Sequence, residues 1–192
     1  MPSPPITFLK RRSLAGLVLL PWLGGLAHAD PAVAARLRTG GCAVLLRHSQ
    51  TDAGIGDPPG FELGSCRTQR NLSEAGRAQA GRIGAWFRAQ GLKPAAVRSS
   101  AWCRCIDTAE LAFGRHEVWA PLNSTFDDRT TAPAATAALR TALAAIPAGR
   151  FEVWVTHQVN ITALTGEFAS MGEAAVVDTR AKVQARTRFG AD

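Results

Sequence analysis

Apolar and polar positions along the chain fall into short strand-like runs separated by helical segments. Cys42-Ala43-Val44-Leu45-Leu46 is apolar at every position, the pattern of a strand covered on both faces. Ala95–Arg98, Glu117–Ala120 and Phe151–Val155 read as three further strands, and Glu173–Val177 as a last one with a partner at Lys182–Thr187. Between them, helices are expected. Asp30-Pro31 places an N-cap before a proline at the first helical position, and that helix runs to Arg38 and stops at Gly40-Gly41. Ser73 caps a helix to about Gln90, whose Ala75, Ile83, Trp86 and Phe87 recur on one face. Further helices are predicted over Ala101–Phe113, closed by Gly114, over the alanine-rich Ala134–Ile146, and near Asn160–Thr165. The segment Asp52–Arg70 is irregular and rich in glycine and proline. A loop of that length inside a compact domain is usually either a functional cover or disordered.

Alternation of strand and helix predicts an α/β fold, a three-layer αβα sandwich around a mainly parallel sheet. In such sheets ligands bind at the carboxyl ends of the strands. Those ends carry Arg47-His48, then Ser99-Ser100 leading to Arg104, then Asn123, Asp127 and Asp128, and finally His157. Two histidines, two arginines and an acidic loop therefore gather at one sheet edge. Arg104 also falls in the first turn of its helix, where the macrodipole disfavours a cation. An anion held there would resolve the conflict.

The first 29 residues change how charge and cysteines are read. Lys10, Arg11 and Arg12 precede an apolar stretch, Leu14–Leu26, broken by Pro21, Gly24 and Gly25, and Ala27-His28-Ala29 has the small-x-small pattern of a cleavage site. This order predicts an export signal over residues 1–29 and a single mature domain over 30–192, periplasmic or secreted. Arg11-Arg12 leaves both the general and the twin-arginine routes open. The net charge of +7, less those three cations, leaves +4 on the mature chain. With no basic run or aromatic-basic stripe, nucleic acid is not an expected partner, and no apolar run is long enough to span a membrane. Export puts Cys42, Cys66, Cys103 and Cys105 in an oxidising compartment. Cys42 sits inside a strand, and Cys66 is expected to pair with Cys103 or Cys105. A zinc site is the alternative use of the C-x-C pair.

The gathered groups suit phosphoryl transfer. A neutral imidazole is a competent nucleophile when its other nitrogen is held as a donor. Arginine forks match phosphoryl oxygens, and a second histidine can hydrogen-bond them. With cations doing this, no metal or other cofactor is expected.

Four segments resemble the histidine phosphatase superfamily, branch 1, the phosphoglycerate-mutase-like proteins. Arg47-His48-Ser49-Gln50-Thr51 is similar to its R-H-G-x-S/T signature, and Leu72–Ala80 to its L-S/T-x-x-G-x-x-Q-A helix start. Ser99–Ala109 resembles its S-S-x-x-x-R-x-x-x-T-A segment, and Thr156-His157 its second-histidine strand end. The resemblance implies that His48 becomes phosphohistidine, with Arg47, Arg104 and His157 catalytic and Thr51 binding substrate beside them. It implies a small phosphorylated substrate. Export favours hydrolase over mutase, because the bisphosphorylated primer of a mutase is scarce outside the cytoplasm. The sequence departs from the family at Ser49, which stands for glycine, at Gly54, which stands for asparagine, and at Leu122-Asn123-Ser124, which stands for L-x-E. Asp127 is the expected substitute acid, with Asp128 as its rival. A noncatalytic phosphate- or phosphoglycan-binding envelope protein is the alternative function.

Overall fold

A computed structural model describes Met1 and residues 31–190. The expected export signal and the Asp30 cap lie outside the described residues. Helix α1 spans Pro31–Thr39, strand β1 Cys42–Arg47, helix α2 Glu74–Ala89 and strand β2 Ala96–Ser99. Helix α3 covers Cys103–Phe113, strand β3 Glu117–Val118, helix α4 Ala132–Ala144 and strand β4 Phe151–Thr156. Helix α5 (Gln158–Thr165) and strands β5 (Ala174–Asp178) and β6 (Val183–Thr187) complete the order.

The six strands form one sheet in the order β3-β2-β4-β1-β5-β6. The first four of that order run parallel, β5 runs antiparallel to β1, and β6 runs antiparallel to β5. Helices cover both faces. Val44, Leu46, Val153 and Val155 pack with Leu37, Ile83, Phe87 and Ala109 on the side of α1, α2 and α3. Leu45 and Trp154 pack with Leu139, Leu143, Ile161 and Leu164 on the side of α4 and α5. Burial of β1 on both faces explains its unbroken apolar run. The three-layer α/β architecture is the one expected.

The differences have local causes. The third strand stops at Val118, because Ala120–Leu122 turns into a 3-10 helix with Pro121 inside it. Helix α3 starts at Cys103 rather than Ala101, because the Trp102 N–H donates to Ser100 Oγ at 3.3 Å and the Ala101 N–H to Asn123 Oδ1 at 2.8 Å. Those bonds hold the turn open for two more residues.

Cys66 and Cys103 form a disulfide. It fastens the irregular loop, at its 3-10 turn Cys66–Thr68, to the start of α3. Two of the four thiols are thereby committed to each other, and the zinc alternative falls. Cys105 is buried beside Thr156, and burial pushes its thiol up to about 12. Closing a loop with a sequence separation of 37 residues is worth about 3–4 kcal/mol by chain entropy. Reduction, or paired Cys66→Ala and Cys103→Ala replacement, is therefore expected to lower unfolding stability by that order in urea titration. Equal urea midpoints with and without reductant would remove the bridge from the account.

Candidate active site

The carboxyl ends of the parallel strands open onto a cavity of about 600 Å³. Arg47, His48, Arg70, Arg104 and His157 line it, with Asp57 and Asp127. A second cleft, of about 530 Å³, lies at the opposite edge and is lined by Arg38, Lys93, Arg115 and Arg150 with no histidine.

The turn after β1 sets His48 in place. Its N–H donates to Thr156 O at 3.0 Å, and its carbonyl accepts from Gly172 N at the same distance. Helix α2 clamps the next residues. Ser73 Oγ accepts from Gly76 N at 3.1 Å, while Gln50 O accepts from the Ser73 N–H at 3.1 Å. Gly76 must be glycine there, since a Cβ would fall 1.8 Å from Gln50 O. Gln79 accepts from the Gln50 N–H and donates to Met171 O, bridging two sides of the site. From the other flank Thr108 Oγ1 accepts from the Ser49 N–H at 3.0 Å and donates to Arg104 O at 2.7 Å.

His48 Nδ1 lies 2.9 Å from Ser49 O. A carbonyl only accepts, so the ring proton sits on Nδ1 and the Nε2 lone pair is free. Burial lowers the His48 pKa to about 3; the hydrogen bond to Ser49 works against this, and the charges of Arg104, Arg47 and Arg70 add to it. His157 is lowered well below its usual value by burial first, then by His48 and the same arginines. Ser100 Oγ lies 2.8 Å from His157 Nε2. With Ser100 donating, the His157 proton is on Nδ1. The two imidazoles meet edge to face, centroids 5.6 Å apart.

Arg104 is buried, and the anion expected at its helix start is part of the chain. Its Nη1 donates to Asp57 Oδ1 at 2.7 Å and its Nη2 to Oδ2 at 3.1 Å. Trp102 Nε1 and the Arg70 N–H donate to the same carboxylate, each at 2.9 Å. Burial alone would raise the Asp57 pKa, but the bonds from Arg104 and Arg70 outweigh it and hold the group below its ordinary value. The side chains of Arg104 and Asp57 are only 5% and 3% exposed. Arg104 Nε and Arg47 Nε are buried without a hydrogen-bond acceptor.

Arg70 is a site residue that motif reading missed. Its Nη1 donates to Thr51 Oγ1 and its Nε to Gly56 O at 2.8 Å. A Cβ at Gly54 would stand 3.7 Å from Arg70 Cδ, so the arginine fills space beside the position where the family carries asparagine. Thr51 itself does not line the cavity; it accepts from Arg70 and holds it. The only hint in the sequence was a lone cation just before the Asn71-Leu72-Ser73 helix start.

The expected acids separate. Asp128 is exposed and caps the 3-10 turn Arg129–Thr131, accepting from Thr130 N at 3.0 Å. Ser124 stands where the L-x-E pattern has its glutamate and lines the cavity, while Asn123 before it accepts from the Ala101 N–H at 2.8 Å. Asp127 lines the cavity at its rim but is exposed, so the burial beneath the Asp52–Arg70 loop that an acid role required is absent.

Residues 43–133 match the sequence model of the histidine phosphatase superfamily, branch 1. Just under half of the chain thus carries the sequence pattern of that superfamily. The chain's fold is similar to that of a phosphoglycerate mutase from Thermus thermophilus (TM-score 0.54, 21% identity, covering 76% of this chain and 98% of that one). It is similar too to the putative phosphohistidine phosphatase SixA from Agrobacterium tumefaciens (TM-score 0.51, 19% identity, 78% and 97% covered). A protein histidine phosphatase SixA in complex with tungstate is a further structural relative (TM-score 0.50, 13% identity, 77% and 96% covered). No curated protein sequence matches the chain. Among the described residues no helix is long and apolar enough to cross a membrane, and no three His, Cys, Asp or Glu side chains cluster as a metal site.

Two buried neutral histidines tie stability to pH. Their folded pKa values lie below the unfolded value of about 6.5, so the unfolded chain binds the protons first as pH falls. Their full contribution is present above about pH 6.5 and is lost progressively below it. Stability is expected to drop by about 1–3 kcal/mol per pH unit between pH 6 and 4.5, followed by urea unfolding. A flat profile from pH 7 to 5 would contradict neutral burial of both rings.

Proposed function

We propose that this protein is an exported phosphomonoester hydrolase working through a phosphohistidine on His48, without a metal. The observation that carries the reading is His48 itself. Its proton is pinned on Nδ1 by Ser49 O, which leaves Nε2 as a nucleophile in a cavity with three guanidiniums and one buried carboxylate. Leaving aside Asp127 at the open rim, the cavity floor carries two positive charges in excess, matched to a phosphomonoester dianion. The unpaired Nε donors of Arg47 and Arg104 need an acceptor that such an anion brings.

In the first step the His48 Nε2 lone pair forms a bond to phosphorus, and the ester oxygen leaves with the P–O electron pair. Arg47, Arg70 and Arg104 offset the charge on the phosphoryl oxygens, and His157 Nδ1–H donates to one of them. Water then attacks phosphorus, the N–P bond breaks back to His48, and a proton passes to solvent with phosphate. The superfamily relatives include a SixA bound to tungstate, a tetrahedral oxyanion. The Lys10–Ala29 pattern supports export, and the Cys66–Cys103 bridge suits an oxidising compartment.

A second reading, a noncatalytic phosphate binder of the cell envelope, draws on Ser124, which stands where the family has its acid and carries no carboxyl group. One variant divides the two. His48→Ala should abolish phosphate release and the acid-labile, base-stable phosphoenzyme while tungstate still binds, since the arginines remain; chelator should change nothing. Wild-type protein that binds tungstate without releasing phosphate from any monoester would leave the binder. For export, mass spectrometry of protein from an envelope fraction should find a chain beginning at Asp30 or within about two residues of it. Recovery only as a full-length cytosolic chain would end that part of the proposal.

A further inference from the structure

The floor of the cavity is cationic, but its mouth is apolar. Large apolar side chains left on the surface are few among the described residues, and three of them, Ile55, Phe126 and Phe168, stand on this one cavity. They come from three separate segments: the loop after β1, the loop between β3 and α4, and the loop after α5. Phe126 is 46% and Phe168 59% exposed, unusual for aromatic rings with nothing bound against them. The rings are close to the chemistry. The Arg47 guanidinium carbon lies 5.9 Å from the Phe168 ring centre. On the other side Phe126 approaches the loop tip, its Cε1 being 3.8 Å from where a Cβ on Gly56 would stand. A leaving group on a phosphoryl held over His48 projects between these walls.

The acids around the cavity bear on the same question. Asp57 is locked into four hydrogen bonds, Ser124 stands in place of the glutamate, and Asp127 is at the open rim. A site without a buried donor favours an oxygen that can leave as its anion. A phenol-type oxygen, with a pKa near about 10 by analogy with tyrosine, does so far more readily than an alkyl or sugar hydroxyl. The walls add the second requirement, an apolar flat body to cover Phe126 and Phe168.

We infer that the Ile55–Phe126–Phe168 mouth is a leaving-group subsite and that the substrates are phosphate monoesters of aryl alcohols. The inference rests on the hydrolase reading above. In the reaction the aryl oxygen leaves with the P–O electron pair as His48 Nε2 bonds to phosphorus. The phenoxide then takes its proton from solvent water as it departs the mouth.

The test compares four phosphates on the wild-type protein: 2-naphthyl, phenyl, acetyl and glycerol 1-phosphate. Acetyl phosphate supplies a good leaving group without an aromatic body. The expected kcat/KM order places 2-naphthyl above phenyl by roughly tenfold, the size of effect that apolar contact in a pocket supplies, and glycerol phosphate last. Phe126→Ala and Phe168→Ala should each lower the ratio of 2-naphthyl to acetyl phosphate turnover by roughly five- to thirtyfold, mainly through KM. Leu111→Ala, an exposed apolar residue away from the cavity, should leave the ratio as it is. Turnover of acetyl phosphate with no aryl preference, or with a ratio indifferent to both phenylalanine changes, overturns the subsite and spares the hydrolase. Turnover of none of the four overturns both.

Discussion

The buried pair of Arg104 and Asp57 is the interaction on which the rest of the site depends. It ties a glycine-rich loop that has little core of its own to the first turn of α3. Breaking such a pair by removing one partner typically costs about 3–5 kcal/mol, because the survivor is left charged in a dry place. Asp57 also takes the Arg70 N–H and the Trp102 indole, so one carboxylate positions two of the cavity's three arginines. The disulfide a few residues further on makes the same connection covalently. A cluster of like charges would otherwise push the loop away: Arg47 and Arg70 are each lowered from their usual pKa by burial and then by neighbouring guanidiniums.

The motif residues turn out to have mechanical tasks more often than chemical ones. Ser73, Gly76 and Gln79 hold the turn after His48 from one helix, and Thr108 holds it from another. None of them lines the cavity. Their effect is to leave the His48 ring with one carbonyl partner and no freedom to choose its tautomer. The positions where this chain departs from the family fit the same logic. Ser49 is accepted because its backbone carries the two bonds that matter, to Thr108 and to His48, while its hydroxyl makes none.

The layered α/β fold, the burial of the first strand and the meeting of Arg47, His48, Arg104 and His157 were legible in the sequence. Uninterrupted apolar runs mean burial on both faces, and strand ends of a parallel sheet must share an edge. Asp57 and Arg70 were not legible, although they lie in a segment read as a functional cover or a disordered loop. Their partners are 47 and 19 positions away, and no periodicity links a loop residue to a distant helix turn. The exposure of the candidate acids was not legible for a related reason. Asp127 and Asp128 have the right chemistry and the right loop, but exposure is decided by how that loop packs, and local sequence does not encode it. The choice between Cys103 and Cys105 likewise awaited the helix phase, which turns Cys103 toward the loop and Cys105 into the core.

Strand order also governs how the chain must be made. β1 lies inside the sheet, pairing with β4 on one side and β5 on the other. Both partners come from the last quarter of the chain, after residue 150. While synthesis proceeds, the fully buried run from Cys42 to Leu46 has no native neighbour to hydrogen-bond, and it stays a sticky, unpaired template through more than half of translation. Folding is therefore late and non-local, and no nascent fragment short of β4 can close the cavity. A holdase that shields this one segment would serve the young chain better than any stabilisation of its helices.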